Sequence, residues 1–256
     1  MGMNNSRNFD LLTLGQGLLR LSPPDNERLS RGDAFGKQVG GAELNVAVGA
    51  ALLGLHTGVI SKLPAHDIGS FMKGKIRSFG VSDDFFMYDQ SSSARVGIYY
   101  YENGAYPRKP KVIYDRNNSS FFSLNIDEIP EEVYTASKCF HTTGITLALN
   151  EDIRETTIDM IKRFKAAGTL VSFDVNFRGN LWTGDEAREC ILRILPYVDI
   201  FFCSEDTARL TFLKTGTARE MMKSFTEEFP ISIVASTQRI VHSPKRHTFG
   251  SVIYDA

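Results

Sequence analysis

From residue 138 onward, short apolar runs alternate with helical segments, and this rhythm constrains the fold more than any other feature of the sequence. The apolar runs have the length of buried strands and occupy residues 139–144, 170–175, 199–203, 231–236 and 248–254. Helices are predicted between or after them, at residues 152–167, 185–195, 205–213 and 217–229. Strands joined through helices of this length lie parallel. The sequence therefore predicts an α/β fold with a mostly parallel, doubly wound sheet and helices on both faces.

The N-terminal half carries the same kinds of element in a less regular order. Apolar runs predict strands at residues 9–15 and 57–63, and an amphipathic pattern predicts a helix at 67–79. Residues 43–53 are apolar on nearly every side, which predicts a buried helix. Two aromatic and β-branched runs, around residues 94–114, flank a turn and predict a β-hairpin that stands apart from the main sheet.

Charge, hydropathy and cysteine use exclude several classes of protein. The net charge of −1 over 256 residues provides no general basic field for nucleic acid, and no apolar run is long enough to span a bilayer. The N-terminus lacks the apolar core of a signal peptide. The three cysteines are odd in number, widely spaced and set in apolar surroundings, which is typical of reduced core cysteines. We therefore expect a cytoplasmic protein that binds neither nucleic acid nor membrane.

The adjacent glycines Gly40 and Gly41 open the apolar helix at 43–53, and Asn45 lies in its first turn. A glycine pair lets the backbone approach a ligand closely, and a helix start offers free N–H groups with a partial positive charge. The pattern predicts a small polar ligand at this helix start. A tight turn that leads into an ordinary helix would give the same pattern.

Polar residues also follow the predicted strands, where ligands bind in parallel α/β sheets. They are Thr142, Thr143, Gly144, Asn176, Arg178, Ser204, Glu205 and Thr237. The richest stretch is residues 174–178, Asp-Val-Asn-Phe-Arg, whose arginine fork suits a carboxylate or a phosphate. The alternative is an Asp–Arg pair that braces a turn.

Several well-known catalytic patterns are absent from the sequence. It has no Walker A pattern, no Gly-x-Gly-x-x-Gly, no His-Glu-x-x-His and no Gly-x-Ser-x-Gly. The missing glycine fingerprint after the first strand argues against a nucleotide-dependent oxidoreductase on a Rossmann-like sheet. No histidine has a partner at metal-ligand spacing, and His141, inside a predicted strand, is expected to be a core residue.

An ordered set of motifs resembles the ribokinase-like (PfkB) carbohydrate kinases. Residues 40–45, Gly-Gly-Ala-Glu-Leu-Asn, resemble the family's first signature, and Asp67-Ile68-Gly69 followed by Phe79-Gly80-Val81 matches its continuation. Residues 174–178 resemble the form seen in 2-keto-3-deoxygluconate kinases. Residues 97–99 and 114–116 resemble the lid positions at which those kinases contact their acidic sugar. Each motif is weak alone, but together they run across the chain in the family's order.

The resemblance implies a three-layer kinase domain over residues 1–256, with a small β-strand lid inserted at approximately 16–40 and 92–118. It places Gly41 and Asn45 against the sugar, with Tyr99, Tyr114 and Arg116 coming from the lid. Arg116 and Arg178 each suit a sugar acid because arginine binds a carboxylate in a bidentate pair. A solvated loop charge remains open for Arg116, and simple lid packing remains open for Tyr99.

The resemblance also implies ATP bound along the strand ends, with Mg²⁺ bridging its phosphates. Asn176, Arg178, Ser204 and Thr237 would lie on this side, and Arg178 would also contact the sugar and stabilise charge on the transferred phosphoryl group. The sequence departs from the family at two places. Ser204 and Thr207 stand at the Asn and Glu of the usual Asn-x-x-Glu, which puts the metal arrangement in doubt. Thr237-Gln238-Arg239 replaces the commoner Thr-x-Gly turn under the nucleotide.

The family's second signature, Gly-x-Gly-Asp, does not occur in the 256 residues. Its glycine turn holds the transferred phosphoryl group and its aspartate is the general base, so no residue of this chain takes that role. We expect the signature to follow the strand at 248–254, so that the sequence is a C-terminally incomplete kinase domain.

The sequence therefore predicts a carbohydrate kinase that phosphorylates 2-keto-3-deoxygluconate at its 6-hydroxyl with ATP and Mg²⁺. The alternatives are a fructokinase or other hexose kinase of the same family, or a non-catalytic, truncated or degenerate sugar-binding protein. The exposed lid strands are also compatible with a homodimer formed through the lid.

Overall fold

The computed structural model describes residues 7–243 and 246–256. The strands within them are β1 (Phe9–Leu14), β2 (Leu18–Ser22), β3 (Gly36–Gly40), β4 (Thr57–Pro64), β5 (Val81–Ser82), β6 (Phe86–Asp89), β7 (Gly97–Glu102), β8 (Lys111–Asp115), β9 (Ser137–Thr143), β10 (Leu170–Asp174), β11 (Ile200–Phe202), β12 (Ile233–Ser243) and β13 (Arg246–Asp255). The α-helices are α1 (Ala42–Leu52), α2 (Asp67–Arg77), α3 (Gly144–Leu147), α4 (Glu151–Ala166), α5 (Gly184–Leu192), α6 (Glu205–Leu210) and α7 (Ala218–Glu228). The chain divides into two compact units, with the boundary inside β1: one holds the chain up to Leu12 and Ile129–Ala256, the other Thr13–Glu128.

The first unit contains a sheet in the order β13-β12-β11-β10-β9-β1. Strands β9, β10, β11 and β12 pair in parallel, and β13 is antiparallel to β12. Helices α4 and α5 connect the parallel strands, as the alternating pattern predicts. The α/β fold with a mostly parallel sheet is therefore confirmed.

Aromatic side chains fill the core of the first unit. The rings of Phe140 and Phe164 stack with their centroids 4.1 Å apart, and Phe201 meets Phe225 edge to face at 5.0 Å. Helix α4, predicted at 152–167, supplies Phe164 and the buried Ile153, Ile158 and Ile161. Its start is capped by Asn150, whose side-chain oxygen accepts from the N–H of Ile153 at 2.8 Å.

The second unit contains two sets of strands. Strand β4 pairs in parallel with β5 and with β6, and helices α1 and α2 contact it. A separate four-stranded sheet has the order β3-β2-β7-β8. In it β7 and β8 form the predicted antiparallel hairpin, and β2 pairs antiparallel with β3 and parallel with β7. These four strands come from the two segments expected to form a lid, and we call them the lid sheet.

Two expectations are wrong. Helix α1 is not a buried helix: its buried residues are Glu43, Leu44 and Ala47, and Leu52 is 77% exposed. A helix that is apolar all round needs neighbours all round, and in the described residues α1 has them on one side only. The strand predicted at 231–236 was also expected to end before Thr237, whereas β12 continues through this residue to Ser243 because it pairs with β13.

The three cysteines are reduced, as their number and spacing predict. Cys139, Cys190 and Cys203 are all free thiols, and the latter two are buried. Across the described ranges, no helix combines the length and apolar character that crossing a membrane requires.

Candidate functional site

The start of helix α1 is a close meeting of backbone segments in the second unit. Gly41 precedes the helix with φ 149° and ψ 141°, and a Cβ there would lie 2.7 Å from the carbonyl oxygen of Gln16. Only glycine fits such a position without displacing its neighbour. Asn45 donates its backbone N–H to the Gly41 carbonyl at 2.9 Å, and its side chain is exposed. This helix start therefore presents the exposed amide side chain of Asn45 beside a glycine backbone that has no Cβ.

Two tyrosines of the lid sheet lie beside this helix start. The hydroxyl of Tyr99 lies against Gly40, where a Cβ would be 2.6 Å away. The rings of Tyr99 and Tyr114 are 6.0 Å apart between centroids. Partial burial raises the pKa of the Tyr99 phenol, so at neutral pH it carries its proton and donates hydrogen bonds. The tyrosines thus offer hydroxyl groups and an aromatic face to a polar ligand.

Arg116 continues the same cluster. Its guanidinium carbon lies 5.7 Å from the Tyr114 ring centroid, and its Nε and Nη2 donate to Gln16 Oε1 at 2.8 and 2.5 Å. Gln16 is 3% exposed and lies two residues after the end of β1. The structure therefore brings Gly41, Tyr99, Tyr114 and Arg116 together, with Asn45 one turn along α1.

Gln16 is a site residue that the sequence reasoning missed. It follows a buried strand, and the rule applied to the later strand ends would have selected it. The available signal was a polar side chain between Gly15 and Gly17 at the end of an apolar run.

Three of the predicted strand-end residues, Asn176, Ser204 and Thr237, line one pocket of about 270 Å³, and Thr142, Thr143, Gly144 and Glu205 are not part of its lining. Its lining is Asp174, Asn176, Phe177, Phe202, Cys203, Ser204, Thr207, Ala235 and Thr237. The backbone reverses at Asn176, whose φ is 37° and whose N–H donates to Asp174 Oδ1 at 2.9 Å. Asn176, Ser204 and Thr237 are therefore brought together, whereas Arg178 does not belong to the lining.

Arg178 is exposed just beyond this pocket, in the same unit. Its guanidinium makes no ion pair or hydrogen bond with any residue of 7–243 or 246–256, so the alternative of an Asp174–Arg178 brace does not apply there. Turning this exposed side chain toward an anion would therefore break no interaction within the described residues.

The departure from the Asn-x-x-Glu pattern has a simple local structure. Ser204 caps helix α6: its Oγ accepts from the Thr207 N–H at 3.2 Å and lies 2.8 Å from Thr207 Oγ1. Glu205 pairs with Arg209 at 2.9 Å on the surface of α6, and it is not part of the pocket lining. Among the described residues, no three His, Cys, Asp or Glu side chains cluster as metal ligands. The oxygen donors of the pocket include the Asp174 carboxylate and the hydroxyls of Ser204, Thr207 and Thr237, a set that fits Mg²⁺ held mainly by nucleotide phosphates.

The chain is similar to proteins of known classification along most of its length. The pfkB family carbohydrate kinase model matches residues 9–238. A 2-dehydro-3-deoxygalactonokinase from Haloferax volcanii is 33% identical over 246 residues, which are 96% of this chain and 76% of that protein. A 2-dehydro-3-deoxygluconokinase from Bacillus subtilis is 29% identical over 174 residues, which are 68% of this chain and 53% of that protein.

The fold agrees with this similarity. The crystal structure of a 2-dehydro-3-deoxygluconokinase from Thermotoga maritima superposes with a TM-score of 0.90 at 29% identity, covering 97% of this chain and 77% of that one. Family model, sequence relatives and fold all select the same class of protein. The chain therefore belongs to the pfkB family of carbohydrate kinases.

Proposed function

We propose that the protein is an ATP-dependent kinase that phosphorylates 2-keto-3-deoxygluconate, also named 2-dehydro-3-deoxygluconate, at the 6-hydroxyl. The observation that carries the proposal is the arginine fork of Arg116, held on the buried Gln16 beside the α1 helix start. A neutral hexose needs no such cation, whereas the carboxylate of a sugar acid does. The names of the Bacillus subtilis and Thermotoga maritima kinases support the same substrate class.

In this proposal the second unit binds the sugar. Arg116 takes the carboxylate in a charge-assisted pair, and Tyr99 and Tyr114 contact the sugar through their hydroxyls and ring faces. Gly41 and Asn45 bind sugar oxygens at the start of α1. The exposed Asn45 amide and the close backbone of Gly41 are suited to this task.

The first unit binds ATP. Asn176, Ser204 and Thr237 contact the nucleotide from the pocket they share, and the exposed Arg178 stabilises negative charge on the transferred phosphoryl group. Mg²⁺, when bound, neutralises phosphate charge, and Asp174 is the carboxylate of this chain that would hold it. Phosphoryl transfer needs in-line positioning more than covalent help from protein. The proposal assigns the general base to none of the 256 residues, because they contain no Gly-x-Gly-Asp.

An ADP-release assay tests this function on the protein expressed from its natural gene. We expect kcat/KM for 2-keto-3-deoxygluconate to exceed that for fructose by at least about 30-fold, the value of one desolvated charge pair near 2 kcal/mol. Faster turnover of fructose would instead make the protein a fructokinase. Sugar binding without ADP release would make it a non-catalytic sugar-binding protein.

A second candidate substrate is the galactonate epimer. The Haloferax volcanii relative, 33% identical, is named for 2-dehydro-3-deoxygalactonate, which differs from the gluconate compound in the configuration at one carbon. Both epimers carry the carboxylate that Arg116 would bind. The same assay with both compounds ranks them by kcat/KM.

We also propose that the kinase is cytoplasmic and forms a homodimer through the lid sheet. Strands β3 and β8 are the edges of that sheet, and all five residues of β8 are exposed. An exposed strand edge pairs readily with a second copy. Light scattering of wild-type protein and of Ile113→Lys, a change in the middle of β8, tests this: a monomer in both cases would contradict the dimer.

A further inference from the structure

The side chain of Gln16 forms hydrogen bonds with both the guanidinium group and the backbone carbonyl of Arg116. Its Oε1 accepts two guanidinium hydrogen bonds, from Nε at 2.8 Å and Nη2 at 2.5 Å. Its Nε2 donates to the backbone carbonyl of Arg116 at 3.1 Å and to Ser119 Oγ at 2.7 Å. One amide therefore holds the head and the backbone of the arginine at the same time.

The side chain of Gln16 is tightly packed, which restricts it to few rotamers. It is 3% exposed, and a Cβ at Gly97 would lie 2.7 Å from its Nε2. The backbone carbonyl oxygen of Gln16 lies against Gly41, at the start of α1. A buried amide whose donors and acceptor are all used keeps a single orientation, because any rotation would leave polar atoms unpaired. The position of the arginine is therefore tied to the helix start through Gln16.

The chemistry of the amide also matters. A glutamate at this position would accept the same guanidinium bonds, but it would form an internal ion pair and compete with any incoming carboxylate. It would also lose the two Nε2 donations. A neutral amide orients the fork without supplying a competing negative charge.

We infer that Gln16 is a positioning residue that sets Arg116 for the carboxylate of the sugar acid. The inference rests on the proposed function and deepens it: the selectivity for an acid over a neutral sugar depends on a residue that does not itself touch the sugar. It acts on KM for the sugar acid and leaves KM for ATP unchanged.

A double-mutant cycle tests this inference. Gln16→Met should raise KM for 2-keto-3-deoxygluconate about 10- to 100-fold, the range for hydrogen bonds to a charged group, with kcat and KM for ATP little changed. In an Arg116→Met background the same substitution should change KM less than about 2-fold, because its effect passes through the arginine. Gln90→Met, an equivalent change at an exposed glutamine of the same unit, is the matched control.

Gln16→Glu is the second variant, and it keeps the test valid if the methionine variant unfolds. It retains the acceptor and nearly the same volume, so this variant should fold. Because its negative charge competes with the substrate carboxylate for Arg116, we expect a raised KM for the sugar acid and an unchanged KM for ATP. Equal, additive effects of Gln16→Met and Arg116→Met on KM would overturn the inference. So would a Gln16→Glu enzyme with wild-type KM.

The outcomes separate this inference from the proposed function. If wild-type enzyme prefers fructose, the proposed substrate class is wrong. The arrangement itself is then still tested by the ¹⁵N signal of Arg116 Nε–H, assigned by its loss in Arg116→Met. That N–H should exchange slowly with solvent in wild-type protein and rapidly in Gln16→Met. Equal exchange in both proteins would refute the positioning role whatever the substrate.

Discussion

Substitution of Gly41 by alanine should destabilise the protein more than its small size suggests. The residue has φ 149° and ψ 141°, a region that residues with a Cβ rarely adopt. Holding an alanine there costs about 1–3 kcal/mol. The new methyl would also lie 2.7 Å from the Gln16 carbonyl oxygen, which is backbone and has to shift as a whole. We therefore expect a loss of at least about 2 kcal/mol in the free energy of unfolding.

The assay is thermal and urea-induced unfolding followed by circular dichroism. A loss of about 2 kcal/mol corresponds to a fall in Tm of about 4–8 °C for a chain of this size. The matched control is Gly49→Ala in the same helix, where a Cβ meets nothing within 4 Å. That change should stabilise the helix by about 0.5–1 kcal/mol, because alanine loses less backbone entropy on folding.

The comparison is decisive because both variants add one methyl to a glycine of the α1 region. If Gly41→Ala is as stable as Gly49→Ala, the close approach of Gly41 to Gln16 does not exist and the reasoning fails. If it is destabilised as expected, sugar binding should weaken as well, since the same backbone shift displaces Gln16 and with it Arg116.

Three further predictions address other parts of the molecule. Burial lowers the pKa of His141 to about 4, below its usual 6.5, so stability is complete above pH 6.5 and falls as the pH drops toward 4, by up to about 3 kcal/mol. His141→Gln should flatten this dependence in urea titrations at pH 4.5 and pH 7, and an equally steep dependence in the variant would contradict it. Arg178→Met should lower kcat at least about 100-fold in the ADP-release assay. Its Tm should stay unchanged because Arg178 is exposed, and a change in KM alone would argue against charge stabilisation. Thr217→Ala removes the capping box with Glu220 at the start of α7 and should cost about 1 kcal/mol in urea unfolding, whereas Thr217→Ser should cost much less.

The positions of most strands and helices followed from local pattern. The apolar runs of the C-terminal half became β9 to β13, and the helix predicted at 152–167 became α4. These predictions succeed because side-chain periodicity reports directly which face of an element is apolar. The element ends were less accurate, since β12 runs seven residues past Ser236 by pairing with β13.

Burial was harder to predict than element type. Leu52, the last residue of α1, and Leu53, which follows it, are strongly apolar, yet they are 77% and 85% exposed. Nothing in a helix's own sequence states which of its sides has a neighbour. Whether an apolar residue is buried depends on which elements pack against it, and the sequence pattern of the helix alone does not contain that information.

The candidate sites divide in the same way. Asn176, Ser204 and Thr237 were predicted from the rule that ligands bind beyond the ends of parallel strands, and the structure places all three around one pocket. The motif order also indicated Gly41, Tyr99, Tyr114 and Arg116, but not what orients the arginine.

The sequence by itself therefore determined the α/β class, the order of the elements and the family, because these depend on local periodicity and on short motifs. Only the tertiary structure decided that α1 is half exposed and that Gln16 holds Arg116. The contact between Gln16 and Arg116 joins residues 100 positions apart. It exists because the lid sheet brings β7, β8 and the end of β1 within hydrogen-bonding distance, and no local pattern in either segment encodes that approach.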